Sequence, residues 1–277
     1  MDAHFYKGEY FNFSHDTSLA PEKEYLPLHA HEVFEVYLFL NGEGTYIVEG
    51  SEYQLKPETV LIMRAAAMHK PNIIAGIPYE RASIHFNPEF LTKLDPEHRL
   101  LRPFVERTLG RDNLYDRTKL RSNLLYDCFY NMFHASGDFY EETVRLSNMF
   151  YCILGEIEDA WSRLKSSGGR EEGSLIAQIT HYIEAHLGEE LSLSHLQSRF
   201  YISKSQLTRL FKEATGLAVW EYISVKRLTL ARSRLREGMR AGDVAASCGF
   251  GDYSSFYRSY KKRFGVSPTA HKKEGKD

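Results

Sequence analysis

The sequence predicts an α+β chain: an N-terminal antiparallel barrel or sandwich, long helices after it, and an all-α C-terminal domain. Three observations carry that prediction. Residues 1–90 alternate aromatic and β-branched runs with turn signals, and residues 114–165 place apolar side chains at helical spacing. Residues 203–217 and 252–266 repeat one helical pattern 49 positions apart. At 277 residues there is room for two domains, at roughly 100–200 residues each.

The runs VFEVYLFL, GTYIVEG, TVLIM and RASIHF read as short strands, interrupted at Asn41-Gly42, Gly50-Ser51 and Lys56-Pro57. Both alternating faces of VFEVYLFL are apolar, so that strand should be covered on both sides. From about Leu114 to Lys165 the pattern becomes helical. Leu120, Leu124, Cys128 and Met132 recur every four residues; after Gly137-Asp138 the rule continues through Leu146, Met149, Phe150, Ile153, Ile157, Trp161 and Leu164. One face of these helices should pack on the β-domain, and a second apolar face on the later helix would make it a dimerisation element. SSGGREEG reads as a polar linker, which gives domains at 1–165 and 174–277 joined by 166–173.

Beyond the linker everything reads as helix, at about 174–187, 192–199, 203–214, 219–236, 241–248 and 252–264. Ser203 and Asp252 are candidate N-caps, Gly216 and Gly265 candidate terminators, and Pro268 suits the first turn of a final helix.

Hydrophobic content of 43% and charged content of 26% are ordinary for a globular chain. No run approaches the ~20 apolar residues that a membrane span needs, and the N-terminus lacks the basic and apolar regions of a secretion signal. Three cysteines, Cys128, Cys152 and Cys248, are too few and scattered for a disulfide framework or zinc cluster. A reduced, cytoplasmic setting is expected. The net charge of −2 hides an asymmetry: residues 171–277 hold 17 basic and 12 acidic residues, and the remainder 18 and 25. A basic C-terminal half suits phosphate-backbone binding through counterion release, although such an excess is also common on a solvated surface.

LSLSHLQSRF-YI-SKSQLTRLFKEA supplies a short helix, a turn and a second helix. Leu193, Leu196, Phe200, Ile202, Leu207, Leu210 and Phe211 should be buried. Ser205, Thr208, Arg209 and Lys212 are left on the opposite face. The second copy, DVAASCGFGDYSSFYRSYKKRF, buries Val244, Ala245, Phe250, Phe256 and Tyr260 and presents Ser254, Tyr257, Arg258 and Lys261. A single basic helix would more simply be a solvated one; two capped copies in matching register suggest a pair of DNA-reading helices. Arginine bonds guanine in two places, so Arg209 and Arg258 are the candidates for base contact, with Lys212 and Lys261 placed for phosphate. The intervening segment 220–237 has Tyr222, Ile223, Leu228, Ala231 and Leu235 on one stripe. A helix of about 16 residues spans roughly 24 Å and could hold the readers near the ~34 Å DNA repeat.

Arg227-Leu228-x-x-Ala231, Val244-Ala245-x-x-Cys248-Gly249-Phe250, Phe256 and Tyr260-Lys261-x-x-x-Gly265-x-x-Pro268 together resemble the signature of AraC/XylS-type transcriptional regulators, over about 174–271. Gln197, Ala241 and Tyr260 depart modestly from that pattern. The resemblance implies a sequence-specific regulator, usually an activator, that binds double-stranded promoter DNA as a homodimer. It further implies RNA polymerase as a partner and a small-molecule effector such as a sugar, with no membrane partner and no enzyme activity.

His29-x-His31-x-x-x-Glu35, followed by Gly42, is similar to the first motif of the cupin barrel, and His69 lies where the second motif places its histidine. Arg64 and Ala66 occupy that second motif's Pro and Gly positions. Three readings compete. The polar residues His29, His31, Glu35, Tyr37, His69 and His85 line a small-molecule pocket, with Tyr46 stacking on a sugar face and Arg81, on one strand face with Ser83 and His85, pairing with Glu35 or an anionic ligand. Alternatively they are satisfied structural groups. In the third reading His29, His31, Glu35 and His69 hold a divalent metal, for which two imidazoles, a carboxylate and a third imidazole are a suitable set. The resemblance favours a sensor without metal or other cofactor. A different class of function is a cupin metalloenzyme, such as an isomerase or dioxygenase, fused to a DNA-binding module. A DNA-repair methyl acceptor would need an N-terminal cysteine cluster that this chain lacks.

Overall fold

The structure is a computed structural model that describes residues 3–8, 11–19, 29–91, 94–108, 110–135, 139–167 and 175–270. Two compact units emerge, one from residues up to 172 and one from 173 onward, with residues 30–32 grouped with the second.

The first unit is built on two antiparallel sheets. The larger has β1 (Ala3–Lys7), β2 (Phe11–Ser18), β3 (Phe34–Asn41), β6 (Thr59–Met63), β8 (Tyr79–Phe86) and the short β9 (Leu114–Tyr115), in the order β1-β2-β8-β3-β6-β9. The smaller has β4 (Gly44–Val48), β5 (Ser51–Gln54) and β7 (His69–Ile73), in the order β5-β4-β7. The two faces of a strand alternate, and here both are used. Phe34, Val36, Leu38, Ile62, Ile84 and Phe86 point to one core, shared with α2 (Leu124–Phe133) and α3 (Phe139–Ser167) through Phe129, Met132, Phe150 and Ile153. Tyr37, Phe39, Leu61, Met63 and Tyr79 point to a second core, between the sheets, with Tyr46 and Val48. The expectation that VFEVYLFL is covered on both sides holds for this reason.

Helical periodicity from Leu114 was overruled by tertiary pairing. Leu114 and Tyr115 pair with Leu61 and Val60 as a strand. Asp116 then anchors a turn, its Oδ1 accepting from the Thr118 amide at 2.9 Å and its carbonyl from the Lys119 and Leu120 amides. Leu120 is buried by that turn, and the helix begins only at Leu124. A helix of four residues, α1 (Arg102–Val105), precedes β9. Residues 168–173 of the expected linker lie outside the described residues.

Two exposed clamps tie this unit's surface: Arg117 grips both Glu58 oxygens through Nε and Nη2, and Lys165 Nζ lies 2.7 Å from Glu106. Both carboxyls are held below the usual carboxylate range, each chiefly by its hydrogen bond to the basic partner. Groups whose folded pKa is depressed stabilise above the unfolded value of about 4.3 and lose that contribution as pH falls through the folded one. Acid unfolding of the wild type should therefore begin below about pH 4.3 and shift to higher pH in Arg117→Ala, followed by far-UV circular dichroism.

The second unit contains α4 (Leu175–Ala185), α5 (Leu193–Phe200), α6 (Lys204–Thr215), α7 (Val219–Arg236), α8 (Ala241–Ser247) and α9 (Tyr253–Phe264). Two hydrophobic clusters divide α7 between them. Val219, Tyr222 and Ile223 join α4, α5 and α6; Leu228, Ala231 and Leu235 join α8 and α9. Pro268 lies in a single turn closed by the Ala270 amide on the Ser267 carbonyl, and no further helix forms among the described residues. No helix there is long and apolar enough to cross a membrane.

Candidate ligand site and candidate nucleic-acid interface

In the first unit, register aligns polar side chains on the sheet face that looks toward β4 and β7. Asn12, His85 and Glu35 form one rung across β2, β8 and β3. Ser14, Ser83 and Tyr37 form the next, and Asp16, Arg81 and Phe39 the third. Ser14 Oγ lies 3.0 Å from Ser83 Oγ and donates to Asp16 Oδ2 at 3.0 Å, and Arg81 Nη2 pairs with the same carboxylate at 3.4 Å. Glu35, nearly fully buried, faces His69 Nε2 at 3.1 Å and His85 Nε2 at 3.6 Å. His69 Nδ1 is 2.8 Å from the Ala67 carbonyl, to which it donates, and this orients Nε2 toward the carboxylate.

Thus Arg81 pairs with Asp16, not Glu35 as expected, because β2 rather than β3 offers the carboxylate on its own rung. Tyr46 is 2% exposed, packed on Tyr37 at 4.7 Å and parallel to His69 at 6.2 Å, so it is a wall of the core and presents no open face for a sugar. Burial, with the Tyr79 and Glu35 charges, raises the Tyr37 and Tyr46 hydroxyl pKa values well above 10 and keeps both as neutral donors. Burial works against the Arg81 charge, but Tyr79, Asp16 and Glu35 together hold its pKa above the ordinary value. Among the described residues, Asn12 Oδ1 and Arg81 Nε are buried and make no hydrogen bond.

His29 and His69 pair through an antiparallel bridge and meet edge to face at 4.4 Å between ring centroids, whereas His31 belongs to the segment grouped with the second unit. Of the expected quartet, His69 lies against Glu35, and His85, from outside the quartet, lies against the same carboxylate. Imidazoles with one carboxylate suit a first-row divalent ion. Asn12, Ser14, Asp16 and Tyr79 went unread in the sequence. For the first three the signal is the period-two polarity of FNFSHDTS, apolar at Phe11 and Phe13 and polar between.

In the second unit, α6 and α9 match closely. Ser203 Oγ accepts from the Gln206 amide at 3.3 Å and Asp252 Oδ1 from the Ser255 amide at 2.7 Å. Gly216 and Gly265 close the helices at φ +75°, a left-handed conformation that favours glycine. The turns differ by one residue: Tyr201 takes the left-handed position after α5, Gly249 after α8, 48 positions apart instead of 49. Ser205, Thr208, Arg209 and Lys212 are exposed together on α6; Ser254, Arg258 and Lys261 are exposed on α9, with Tyr257 half-buried. Arg209 rests on Glu213 at 3.2 Å in an exposed i,i+4 pair worth about 0.3–0.5 kcal/mol, so little holds it from a better partner. At the position equivalent to Glu213, α9 has Lys262, and Lys204 and Tyr253 open the two helices; the repeat offset would have found all of these.

A family model described as an AraC-like ligand binding domain matches residues 19–172, and one described as a helix-turn-helix domain matches 196–274. The chain belongs to the AraC family of transcriptional regulators. This AraC-family regulator is 25% identical over 244 residues to a probable transcriptional regulator, LumQ, of Photobacterium leiognathi, covering 88% of this chain and 90% of that one. It is 24% identical over 254 residues to the HTH-type transcriptional activator RhaS of Mannheimia succiniciproducens, 90% of each chain. Among solved structures, ToxT from Vibrio cholerae aligns over 95% of this chain and 98% of its own, at 12% identity and a TM-score of 0.42.

The family's motif residues have a physical role here. Arg227 Nε donates to the Leu187 carbonyl at 2.9 Å and Nη2 to the Glu189 carbonyl at 2.6 Å. Gly249 lies against the same guanidinium: a Cβ there would sit 2.4 Å from the Leu187 carbonyl oxygen and 2.6 Å from Arg227 Nη2. The α4–α5 turn and the α8–α9 turn thus meet over Arg227, which locks the two halves of this unit together. Lys226, 5% exposed, adds a 2.7 Å bond to Glu184, which also accepts from the Tyr222 hydroxyl.

Proposed function

We propose that this regulator is an activator that reads two successive major-groove segments with α6 and α9, and that a polyhydroxylated small molecule held by the first unit controls its DNA affinity. The observation carrying the ligand class is the polar face of β2, β8 and β3. It offers an unpartnered acceptor, Asn12 Oδ1, and, two rungs along, an unpartnered donor, Arg81 Nε, with hydroxyls and imidazoles between. Separate hydroxyls of one molecule, each able to donate and accept, suit such a pair. His29, Glu35, Tyr37, His69 and His85 complete the binding set within the first unit. The activator sense is supported by the relative named as one. A homodimer formed through α3 would bring four readers to the promoter, beside RNA polymerase.

An effector acts only through a difference in affinity between the regulator's states. Footprinting with and without a panel of sugars and polyols tests this: a changed footprint supports the reading, and unchanged DNA affinity and transcription at saturating ligand refutes it for that class.

On the DNA side, Arg209→Ala or Arg258→Ala should weaken specific binding by about 1–3 kcal/mol each and relax preference at a few base pairs, measured by fluorescence anisotropy. Lys212→Ala should weaken specific and random duplexes alike and lower the salt slope by about 1. Equal loss on both duplexes for Arg209→Ala would reassign it to phosphate.

A further inference from the structure

The helices α6 and α9 differ in one acid. In α6, KSQLTRLFKEAT, the only carboxylate is Glu213, one turn beyond Arg209; α9, YSSFYRSYKKRF, contains none and has Lys262 at the matching place, one turn beyond Arg258. Glu213 is exposed, and its two oxygens lie 3.2 and 3.3 Å from Arg209 Nη1. The i,i+4 spacing keeps this pair on the open face that also carries Ser205, Thr208 and Lys212. Arg258 therefore meets DNA with a cation beside it, and Arg209 with an anion.

A guanidinium on DNA has two kinds of acceptor. Phosphate oxygens carry full negative charge, whereas guanine O6 and N7 are neutral. A carboxylate already against the guanidinium repels the first and tolerates the second, because both acceptors come well within the screening length of about 8–10 Å. We propose that Glu213 is a specificity-determining residue of α6: it disfavours phosphate as the acceptor for Arg209 and leaves base edges as the better one. The inference rests on the reading that Arg209 contacts a base. Glu213 itself makes no bond to DNA. On the correct site Arg209 turns from the carboxylate to guanine, and the exposed acid returns to water at little cost, since the pair is already screened by solvent. On a random site the same arginine must draw a phosphate up beside Glu213, and binding weakens. With Lys262 in this place, α9 carries no such filter.

The test uses the full chain and two duplexes, one enriched from a random library by the wild type and one a scrambled version of it, followed by fluorescence anisotropy across a salt series. Glu213→Gln should tighten binding to the scrambled duplex by about two- to fivefold, the range of exposed charge pairs, and to the enriched duplex by less, so that the ratio between them falls. On the scrambled duplex the salt slope should steepen by up to about 1. Glu213→Lys, which copies α9, should do both more strongly, and Lys262→Glu should raise the ratio. In an Arg209→Ala background, Glu213→Gln should leave the ratio unchanged. No change on either duplex, equal tightening on both, or a change of ratio that survives Arg209→Ala overturns the proposal and leaves the base contact of Arg209 standing. Equal weakening of both duplexes by Arg209→Ala alone overturns that contact, and the proposal with it.

Discussion

Glu49→Gln is expected to destabilise the first unit by about 3–5 kcal/mol, the usual cost of removing one partner from a buried charge set. Glu49 side-chain exposure is 0%, and two arginines converge on it: Arg64 Nη2 at 3.2 Å and Arg107 Nη1 at 3.6 Å, with side-chain exposures of 14% and 1%. The Gly110 amide donates to Oε2 at 3.2 Å as well. Glutamine keeps the shape but loses the charge, which strands two guanidiniums. Burial already lowers the Arg107 pKa despite Glu49, so the network stands near its limit. Asn113 offers partial relief, accepting from Arg107 Nη1 at 2.9 Å and donating to the Ile62 carbonyl at 2.7 Å. Urea unfolding monitored by circular dichroism reads the effect as a lower midpoint at unchanged slope. A shift below about 1 kcal/mol would mean that water reaches these guanidiniums.

Arg227→Ala should cost about 2–4 kcal/mol in the second unit, since it removes two charge-assisted bonds and leaves two carbonyls to find water. Gly249→Ala should match or exceed it, through the Cβ contact and its φ of +77°. Arg227→Lys should rescue little, because an ammonium cannot span two carbonyls set by a planar fork. Both variants should lose affinity for a two-segment DNA site more than for a single segment. Equal loss on the two would place the lesion in one reader instead of in the lock between them.

The parts legible in the sequence are those governed by local chemistry. Ser203 and Asp252 cap their helices because a short acceptor reaches the third amide, and Gly216 and Gly265 end them because the left-handed turn disfavours a side chain. The exposed faces of α6 and α9 follow from helical period alone. What could not be read depends on pairing between distant segments. Nothing in FNFSHDTS says that β8 will lie beside it, so Asp16 was missed and Arg81 was matched to the wrong carboxylate. Glu49-Gly50 looks like a surface turn until Arg107, far along the chain, is folded onto it. Leu114 and Tyr115 fit a helix by spacing, and only the open edge of β6 makes them a strand.

Because α7 contributes its first half to one reader's core and its second half to the other's, the separation of α6 and α9 is set by covalent pitch and not by a hinge. An operator for such a pair carries a phasing constraint. One base pair inserted between its halves would rotate one against the other by roughly 35°, beyond what a continuous helix absorbs by gentle bending. Base changes in the middle of the operator should be tolerated, and insertions there should not.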